Sequence, residues 1–522
     1  MPAEAPERPA TAGRLFPDTY AAADPGRPAY VMAGTGRTVT YAELVAASRG
    51  IAALLWSRGL RHGDCAAILL GNDEHFLQVA WACQRIGLRY VAISTRMTPP
   101  EVAYVLADSG ARALVTGPAL LDVAAAAASA SGVGTRLTTG AAQDGFEALD
   151  AAVAAAPPVE PEEREGVDLL YSSGTTGRPK GVATELTLPP LGTPPGFAGL
   201  FSQLWGIGGD SVYLSPAPLY HAAPLRVSMT VHRHGGVVVV MERFDAAAAL
   251  ELIERHRVTE VQMVPTMMIR MLKLPVEQRT AHDLSSLRCL VHAAAPIPVE
   301  AKREVIEWLG PIVHEYYSAT ENHLFTELDS AQWLAHPGSV GRPVVGTPHI
   351  LDDDGNELPP GETGTIWAEG GRDFVYLNDP EKTAQARNDR GWTTVGDLGH
   401  LDEDGYLYLS DRRTDLILSG GVNVYPQETE NVLLGHPAVA DAAVFGIPHE
   451  EMGEVVHAVV QLRAGVEAGP ELEEELLDHL RQRLADVKCP RRIDVTEQLP
   501  RTETGKLFKR LLRDRYTAQC RT

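Results

Sequence analysis

The sequence is poor in cysteine and in positive charge, and it contains no long apolar run. Its 522 residues include five cysteines, none in a CxxC pair, which argues against a disulfide framework or a zinc site. Asp and Glu number 68 against 46 Lys and Arg, and the net charge of −22 disfavours nucleic acid or an anionic membrane as a partner. Neither a transmembrane segment nor a signal peptide is apparent. We therefore expect a soluble, cytoplasmic enzyme, a monomer or homodimer, that acts on a small molecule.

The length of the chain and its hydrophobic patterns predict several α/β units. A chain of 522 residues is too long for one hydrophobic core. Helix and strand signals alternate over residues 39–117, which predicts a parallel sheet with crossover helices. A β-rich region with turn signals is predicted over residues 349–409, and beyond Arg412 the pattern changes to a smaller α/β unit. The predicted fold class is therefore α/β.

The stretch YSSGTTGRPKGV, Tyr171 to Val182, has the composition of a phosphate-binding loop. Its hydroxyl residues, glycines and lysine are Ser172, Ser173, Gly174, Thr175, Thr176, Gly177, Lys180 and Gly181. Glycines let the backbone wrap closely around an anion, while N–H groups, hydroxyls and a lysine donate to phosphate oxygens. The stretch is not a GxxxxGK[ST] loop, because Pro179 stands five residues after Gly174. Its flanks read as short strands, so we predict a loop between strands that folds over a triphosphate.

This stretch resembles the phosphate loop of the AMP-forming adenylating enzymes. That family includes acyl-CoA synthetases, aryl-CoA ligases, adenylation domains of peptide synthetases, and luciferases. The resemblance runs from about Val39 to Tyr516, and segments such as DPEKTAQAR and SGGVNVYPQE look most like bacterial fatty-acyl-CoA ligases. It implies a large N-terminal domain of several subdomains, residues 1–411, and a small mobile α/β lid, residues 412–522. It also implies ATP, Mg²⁺ and coenzyme A as cofactors or co-substrates, together with a small-molecule acid.

The segment HEYYSATE, His314 to Glu321, resembles the family's nucleotide-binding strand. The nucleotide contacts that the resemblance implies here and in the preceding loop are Ala294, Ala295, Pro296, Glu315, Tyr316, Tyr317, Thr320 and Glu321. Glu321 would bind magnesium and Thr320 would contact phosphate. Tyr317 would stack on adenine, and Glu315 would accept a hydrogen bond from the adenine amino group. The alanines and the proline would pack on the other adenine face.

Further positions are implied in the second half of the chain. Asp397 in WTTVGDLG and Arg412 in SDRRTD resemble the ribose contacts, since a carboxylate can accept from both ribose hydroxyls. Lys506 in LPRTETGKLFKR resembles the lid lysine that stabilises charge at the α-phosphate. Gly420 and Gly421 resemble the tunnel for the pantetheine arm of coenzyme A. The implied catalytic residues are Thr176, Lys180, Glu321 and Lys506.

The acid pocket is implied by residues around and after the adenine strand. These are His221, Ser318, Ala319, Asn322 and His323. A small serine at 318 leaves room in the pocket wall, whereas Asn322 and His323 place an amide and an imidazole where an alkyl tail would run. Leaving such groups unpaired against a methylene chain costs roughly 1–3 kcal/mol. We therefore predict a small, aryl acid rather than a long-chain fatty acid.

Adenylation of an acid followed by transfer to coenzyme A is the predicted activity, and three alternatives compete with it. A peptide-synthetase type of amino-acid activator usually carries an Asp near His221, and none is present there. A silent binding protein would be expected to lack Lys506 or Glu321, and both are present. An ATP-dependent diazotase, which activates nitrite and couples it to an aryl amine, stays open because nitrite is a small oxyanion like a carboxylate.

Overall fold

The chain forms two compact units in a computed structural model. The described residues are 15–172, 179–412, 415–419, 422–449, 452–501 and 507–520. The first unit comprises Met1–Ser172, Glu185–Arg243 and Leu252–Val261, and the second comprises Ser173–Thr184, Phe244–Glu251 and Gln262–Thr522. The division into domains at residues 411 and 412 stays a prediction.

Helices and strands alternate along most of the chain. In chain order the helices are α1 Pro17–Ala23, α2 Tyr41–Ser57, α3 Glu74–Arg85, α4 Pro99–Asp108, α5 Leu121–Ser131, α6 Leu149–Ala155, α7 Gly196–Trp205, α8 Ala222–His234, α9 Ala246–His256, α10 Pro265–Leu272, α11 Val276–Arg279, α12 Val299–Leu309, α13 Ser330–Ala335, α14 Pro380–Gln385, α15 Pro426–Leu434, α16 Pro470–Arg481 and α17 Lys509–Cys520. Short 3-10 helices cover Pro118–Leu120 and Asp486–Lys488. Among the described residues, no helix combines the length and the apolar character that crossing a membrane requires.

The strands are short until the C-terminal part of the chain. In chain order they are β1 Pro28–Met32, β2 Thr38–Thr40, β3 Cys65–Leu69, β4 Arg89–Ala92, β5 Ala111–Thr116, β6 Thr135–Thr138, β7 Glu147–Ala148, β8 Val167–Asp168, β9 Leu170–Ser172, β10 Lys180–Ala183, β11 Val212–Ser215, β12 Val237–Val240, β13 Glu260–Met263, β14 Cys289–His292, β15 Val313–Ser318, β16 Phe325–Leu328, β17 Arg342–Val345, β18 Thr347–Leu351, β19 Gly364–Glu369, β20 Val375–Tyr376, β21 Asp397–Leu401, β22 Leu407–Arg412, β23 Ile417–Ser419, β24 Val422–Val424, β25 Val439–His449, β26 Gly453–Leu462 and β27 Ile493–Thr496.

The first unit contains the predicted parallel sheet. Its six strands lie in the order β7-β6-β5-β3-β4-β8, and all of their pairings are parallel. All five residues of β3 are buried, as expected for a central strand covered on both faces. Helix α2 begins at a capping box in which Thr40 and Glu43 satisfy each other's backbone N–H groups. The same unit pairs β12 in parallel with β1 and β11. The helix and strand alternation predicted from the sequence is therefore confirmed.

The second unit holds the strands on which the candidate site is built. Strands β14 and β15 are parallel, and β16 then pairs antiparallel with β15. Strand β10 pairs antiparallel with β20. The predicted β-rich region forms a four-stranded antiparallel sheet in the order β18-β19-β21-β22. These pairings bring residues from distant parts of the sequence to neighbouring strands.

A separate small C-terminal domain follows, with its own hydrophobic core. Its sheet runs β24-β23-β26-β25, with β27 added in parallel to β26. Leu433 of α15 and Leu480 of α16 pack with Val444 and Val460 of the long β25–β26 hairpin, and all four side chains are fully buried. The predicted change to a small α/β unit near the end of the chain is confirmed, and so is the α/β fold class with a large N-terminal part.

A buried ion pair joins α12 to β15. Lys302 Nζ lies 2.5 Å from Glu315 Oε2, and the two side chains are 0% and 7% exposed. Burial lowers the pKa of Lys302 and raises that of Glu315, while their mutual attraction opposes both shifts. His292 Nε2 lies 3.5 Å from the same carboxylate oxygen, and burial holds the pKa of His292 well below its usual range. The pair therefore fixes the strand that carries the predicted adenine tyrosine.

Removing one partner of this pair should be far more damaging than removing both. Lys302→Met leaves a carboxylate buried without its counter-ion, and we expect the free energy of unfolding to fall by about 3–5 kcal/mol. The double variant Lys302→Met/Glu315→Leu should recover most of that loss. Denaturant unfolding of the full chain measures both effects.

Arg303→Met on the same helix is the matched control. The Arg303 side chain is 39% exposed and lies 4.0 Å from an exposed Glu300, so its removal should change the unfolding free energy by less than about 1 kcal/mol. A double variant as unstable as Lys302→Met alone would contradict the role given to the ion pair.

Candidate active site

The predicted phosphate loop has a strand on each side of it in the sequence. Strand β9 ends at Ser172, and β10 begins at Lys180. This confirms the prediction that the loop connects short strands instead of opening a helix. Five of the loop residues predicted to bind ATP lie outside the described residues, as does the Ser172 side chain; the five are Ser173, Gly174, Thr175, Thr176 and Gly177.

Lys180 and Glu321 meet through a tyrosine that the sequence analysis did not select. Lys180 Nζ lies 5.2 Å from the centre of the Tyr376 ring, within cation–π range. The Tyr376 hydroxyl donates a hydrogen bond to Glu321 Oε1 at 2.9 Å. Tyr376 and Glu321 are 7% and 6% exposed. The implied phosphate lysine and the implied magnesium ligand are thus parts of one contact group.

Strand pairing places Tyr376 in this position. Val182 of β10 is the register partner of Tyr376 of β20, and the Leu377 N–H donates to the Gly181 carbonyl oxygen at 2.8 Å. No local feature of the sequence predicts the pairing of β10 with β20, because almost 200 residues separate the two strands. An aromatic residue in the segment FVYLND was the available signal, and it is too weak alone to select Tyr376.

The implied adenine and ribose residues are also in contact. The Tyr317 hydroxyl donates to Asp397 Oδ2 at 2.6 Å, and Asp397 is 7% exposed. In the antiparallel register of β21 and β22, Asp397 is the partner of Arg412. The side chain of Arg412 lies outside the described residues. The structure therefore brings the backbones of both ribose candidates together and joins Asp397 to the adenine tyrosine.

Glu315 and Tyr316 have contacts other than those implied for them. The Glu315 carboxylate accepts from Lys302, because β15 presents it to the helix α12 that packs beside the strand. The Tyr316 ring stacks on Phe325 of β16, with centroids 5.0 Å apart and planes 8° apart. The structure gives Glu315 a buried ion pair. The hydrogen bond that the resemblance implied from adenine to Glu315 stays a prediction.

One residue in the loop after β14 and one in the turn after β15 adopt left-handed backbone conformations, although neither is glycine. Ala294, in the loop after β14 that also holds Ala295 and Pro296, has φ of 76°. Asn322, directly after Glu321, has φ of 53°, and its N–H donates to the Ala319 carbonyl oxygen across the turn that contains Thr320. Such φ values are uncommon outside glycine, and they occur more often at functional sites. The backbone of the turn after β15, which carries Glu321 and Asn322, is thus conformationally constrained.

Four of the five predicted pocket residues lie in the second unit. Ser318 Oγ donates to the Leu324 carbonyl oxygen at 2.9 Å and lies 3.4 Å from Asn322 Oδ1. The backbone at His323 is approached so closely by Gly371 that a Cβ on Gly371 would lie 1.6 Å from the His323 carbonyl oxygen. This contact requires glycine at position 371. The turn that carries the predicted pocket residues is therefore packed closely against the backbone of Gly371.

The His323 imidazole is fully buried. Its two ring nitrogens have no hydrogen-bond partner among the described residues, and its ring faces Phe374 edge-on at 6.3 Å. Burial lowers the pKa of His323 to about 4, which the Asp397 carboxylate opposes only in part. The side chain is therefore a neutral imidazole at physiological pH.

His221 belongs to the first unit, where it occupies the position just before helix α8. Its ring lies 4.6 Å from that of Tyr220. Its part in the acid pocket stays a prediction.

Three predicted residues of the C-terminal domain, Gly420, Gly421 and Lys506, lie outside the described residues. Arg501 and Leu507, on either side of the segment with Lys506, pair in an antiparallel bridge. Arg501 Nε lies 2.6 Å from Asp441 Oδ2. The ion pair anchors Arg501 to strand β25.

The site residues suit a nucleotide with magnesium. Among the described residues, no three His, Cys, Asp or Glu side chains come together as a metal site. Mg²⁺ in nucleotide sites commonly takes one or two carboxylates and draws its other ligands from phosphate and water. Glu321, with Oε1 accepting from Tyr376, fits the role of that carboxylate, and Lys180 fits a phosphate contact.

Two sequence profiles match the chain. The profile described as AMP-binding enzyme covers residues 18–372, and that described as AMP-binding enzyme C-terminal domain covers residues 428–506. Similar characterised proteins include a feruloyl-CoA synthase of Amycolatopsis sp, 37% identical over 92% of this chain and 94% of its own. A 2-succinylbenzoate–CoA ligase of Bacillus subtilis is 33% identical over 92% of this chain and 93% of its own. The long-chain-fatty-acid–CoA ligase FadD13 of Mycobacterium tuberculosis is 33% identical over 95% and 97%.

Solved structures match along nearly the whole chain. The O-succinylbenzoate coenzyme A synthetase of Bacillus subtilis, in complex with ATP and magnesium ion, has a TM-score of 0.80 and 32% identity, covering 96% of this chain and 99% of its own. The amide bond synthetase McbA of Marinactinospora thermotolerans has a TM-score of 0.81 and 30% identity, covering 97% and 100%. The comparisons confirm the resemblance seen in the motifs, and they do not support the diazotase alternative.

The burial of His323 predicts that the free energy of unfolding falls at acidic pH. With a pKa of about 4 in the folded chain and about 6.5 when unfolded, His323 binds a proton more readily in the unfolded state. Stability from this residue is therefore complete above pH 6.5 and is lost as the pH falls towards 4, by up to about 1.4 kcal/mol per pH unit. His323→Leu should flatten the pH dependence of the urea midpoint between pH 6.5 and 4. An unchanged slope would show that His323 does not titrate as its burial requires.

Proposed function

As a member of the AMP-binding enzyme family, the chain is an AMP-forming acid–CoA ligase, and we propose that its acid substrate is small and aryl. The ligase reaction has two steps. A carboxylate oxygen attacks the α-phosphorus of ATP, and pyrophosphate leaves with the broken P–O bond. The thiol sulfur of coenzyme A then attacks the acyl carbonyl, and AMP leaves.

The contacts of Tyr376 with Lys180 and Glu321 are the observation that best supports adenylation as the first step in this chain. Lys180 brings positive charge to a protein with a net charge of −22, and it lies on the same tyrosine as Glu321. We assign Lys180 to phosphate and Glu321 to Mg²⁺, which when bound neutralises charge on the triphosphate. No general base is required, because the carboxylate attacks as an oxyanion.

The ribose end of the nucleotide is assigned to Asp397. Its carboxylate accepts from Tyr317, so ring and carboxylate are fixed relative to each other before a nucleotide binds. A carboxylate can accept hydrogen bonds from both ribose hydroxyls. Thr176, Lys506 and Arg412 complete the proposed set on the strength of the motifs. Lys506 would stabilise charge that develops at the α-phosphate.

Two observations favour an aryl acid with a polar substituent. Ser318 is a small residue at the end of β15, which leaves space for a ring. His323 is a buried neutral imidazole whose nitrogens have no hydrogen-bond partner among the described residues. A ligand that supplies a partner for such a group removes a desolvation penalty that a methylene chain would leave in place. A feruloyl-CoA synthase among the relatives is compatible with this, although FadD13 shows that identity alone does not select the acid.

A panel of acids at fixed ATP, Mg²⁺ and coenzyme A tests the substrate class. Pyrophosphate release, read as kcat/KM, should favour benzoic and hydroxycinnamic acids over laurate and palmitate by about ten- to a hundredfold. In His323→Phe, which keeps a ring and removes the polar atoms, the ratio should shift towards the fatty acids. Reactions without acid and without coenzyme A are the controls.

Laurate or palmitate exceeding every aryl acid would overturn the aryl assignment while leaving the ligase activity intact. If pyrophosphate is released but no thioester forms, the acceptor is not coenzyme A. An amine would then be the next acceptor to supply, given the likeness to an amide bond synthetase.

A further inference from the structure

The geometry points to Tyr376 as a positioning residue that aligns the metal-binding carboxylate of Glu321 with Lys180. This inference rests on the proposed function, which assigns magnesium to Glu321 and phosphate to Lys180. Tyr376 itself touches neither phosphate nor metal in this assignment. It acts through its contacts with Glu321 and Lys180.

The hydroxyl of Tyr376 fixes one oxygen of the carboxylate. An ionised carboxylate only accepts hydrogen bonds, so the 2.9 Å contact has the tyrosine O–H as donor and Glu321 Oε1 as acceptor. That bond restricts rotation of the carboxylate, and we assign its other oxygen, Oε2, to the metal. Because both residues are more than nine-tenths buried, bulk water is poorly placed to replace the hydroxyl. Outer-shell partners of this kind typically change metal affinity or activity 10- to 100-fold.

The ring of Tyr376 acts on the lysine. Lys180 Nζ lies 5.2 Å from the ring centre, where the negative face of the ring attracts the ammonium group. The contact holds a long and flexible side chain next to the ring whose hydroxyl bonds Glu321. Hydroxyl and ring therefore have separable effects, one on the metal ligand and one on the phosphate lysine.

The backbone and the packing around Tyr376 are suited to positioning. Its strand pairs with β10, which starts at Lys180, and its N–H donates to Thr383 Oγ1 at 3.0 Å. Its ring packs in a small buried cluster with Val182, Phe374 and Ala386. A rigid ring linked to both charged residues can hold them at one separation in the absence of ligand.

Tyr376→Phe and Tyr376→Leu separate the two effects. The first removes the hydroxyl and keeps the ring, whereas the second removes both. Mn²⁺ binding to the full chain with a non-hydrolysable ATP analogue, followed by electron paramagnetic resonance, reads metal affinity without turnover. Binding of the analogue in EDTA reads the phosphate contact. Tyr376→Phe should weaken Mn²⁺ binding about 10- to 100-fold and leave binding in EDTA unchanged. Tyr376→Leu should weaken both.

Two further variants guard against a general loss of structure. Tyr406→Phe removes a hydroxyl from an equally buried tyrosine, 7% exposed, whose ring stacks on His336, and it should bind Mn²⁺ as the wild type does. In a Glu321→Gln background, adding Tyr376→Phe should cause little further loss of Mn²⁺ affinity, because the hydroxyl acts through that carboxylate.

Wild-type Mn²⁺ affinity in Tyr376→Phe would overturn the positioning role, and so would equal losses with and without Glu321→Gln. A wild-type protein that fails to bind the ATP analogue would instead contradict the proposed function itself. The two failures are therefore distinguishable.

Discussion

Lys180 and Glu321, which carry opposite charges, both contact one tyrosine, Tyr376. The ring of Tyr376 lies 5.2 Å from the lysine nitrogen, and its hydroxyl donates to the carboxylate at 2.9 Å. The arrangement depends on the pairing of β10 with β20, since Val182 and Tyr376 are register partners. Electrostatic catalysis requires groups that are already oriented when charge develops. A rigid aromatic link between the proposed phosphate contact and the proposed metal ligand provides such orientation before the nucleotide arrives.

The acidic composition makes this local organisation necessary. With a net charge of −22, the chain as a whole repels a triphosphate, so the attraction must come from nearby groups and from magnesium. Not every lysine is available to bind phosphate, because Lys302 is paired with a buried carboxylate. Lys302, fully buried against Glu315, holds strand β15 and with it Tyr317. Tyr317 in turn bonds Asp397, so the adenine and ribose candidates are connected to the ion pair through one strand.

The sequence predicted what depends on local pattern. The short strands on each side of the predicted phosphate loop, the parallel sheet around the buried strand β3, and the small C-terminal domain all follow from composition and periodicity. The structure confirms these elements. The motifs also selected Lys180 and Glu321, which the structure places in one contact group. Such features depend on residues that are close in the sequence.

The sequence could not predict what depends on pairing between distant segments. Tyr376 acquires its position only because β20 pairs with β10. Nothing in the sequence of either strand predicts that the other is its partner. The ion pair of Glu315 also depends on a distant contact, because Lys302 lies on the helix that packs beside the strand. The burial of His323 likewise depends on Gly371 and Phe374, which lie about fifty residues further along. In each case the deciding contact is tertiary.

The chemistry that unites these residues is attack of a carboxylate oxygen on the α-phosphorus of ATP. The most direct measurement uses an aryl acid labelled with ¹⁸O in its carboxylate, incubated with the enzyme, ATP, Mg²⁺ and coenzyme A. Mass spectrometry of the products should find one ¹⁸O in AMP and none in pyrophosphate, because the attacking oxygen stays on phosphorus when the thiol displaces AMP. Formation of ADP with ¹⁸O in orthophosphate, or AMP without the label, would contradict adenylation as the first step.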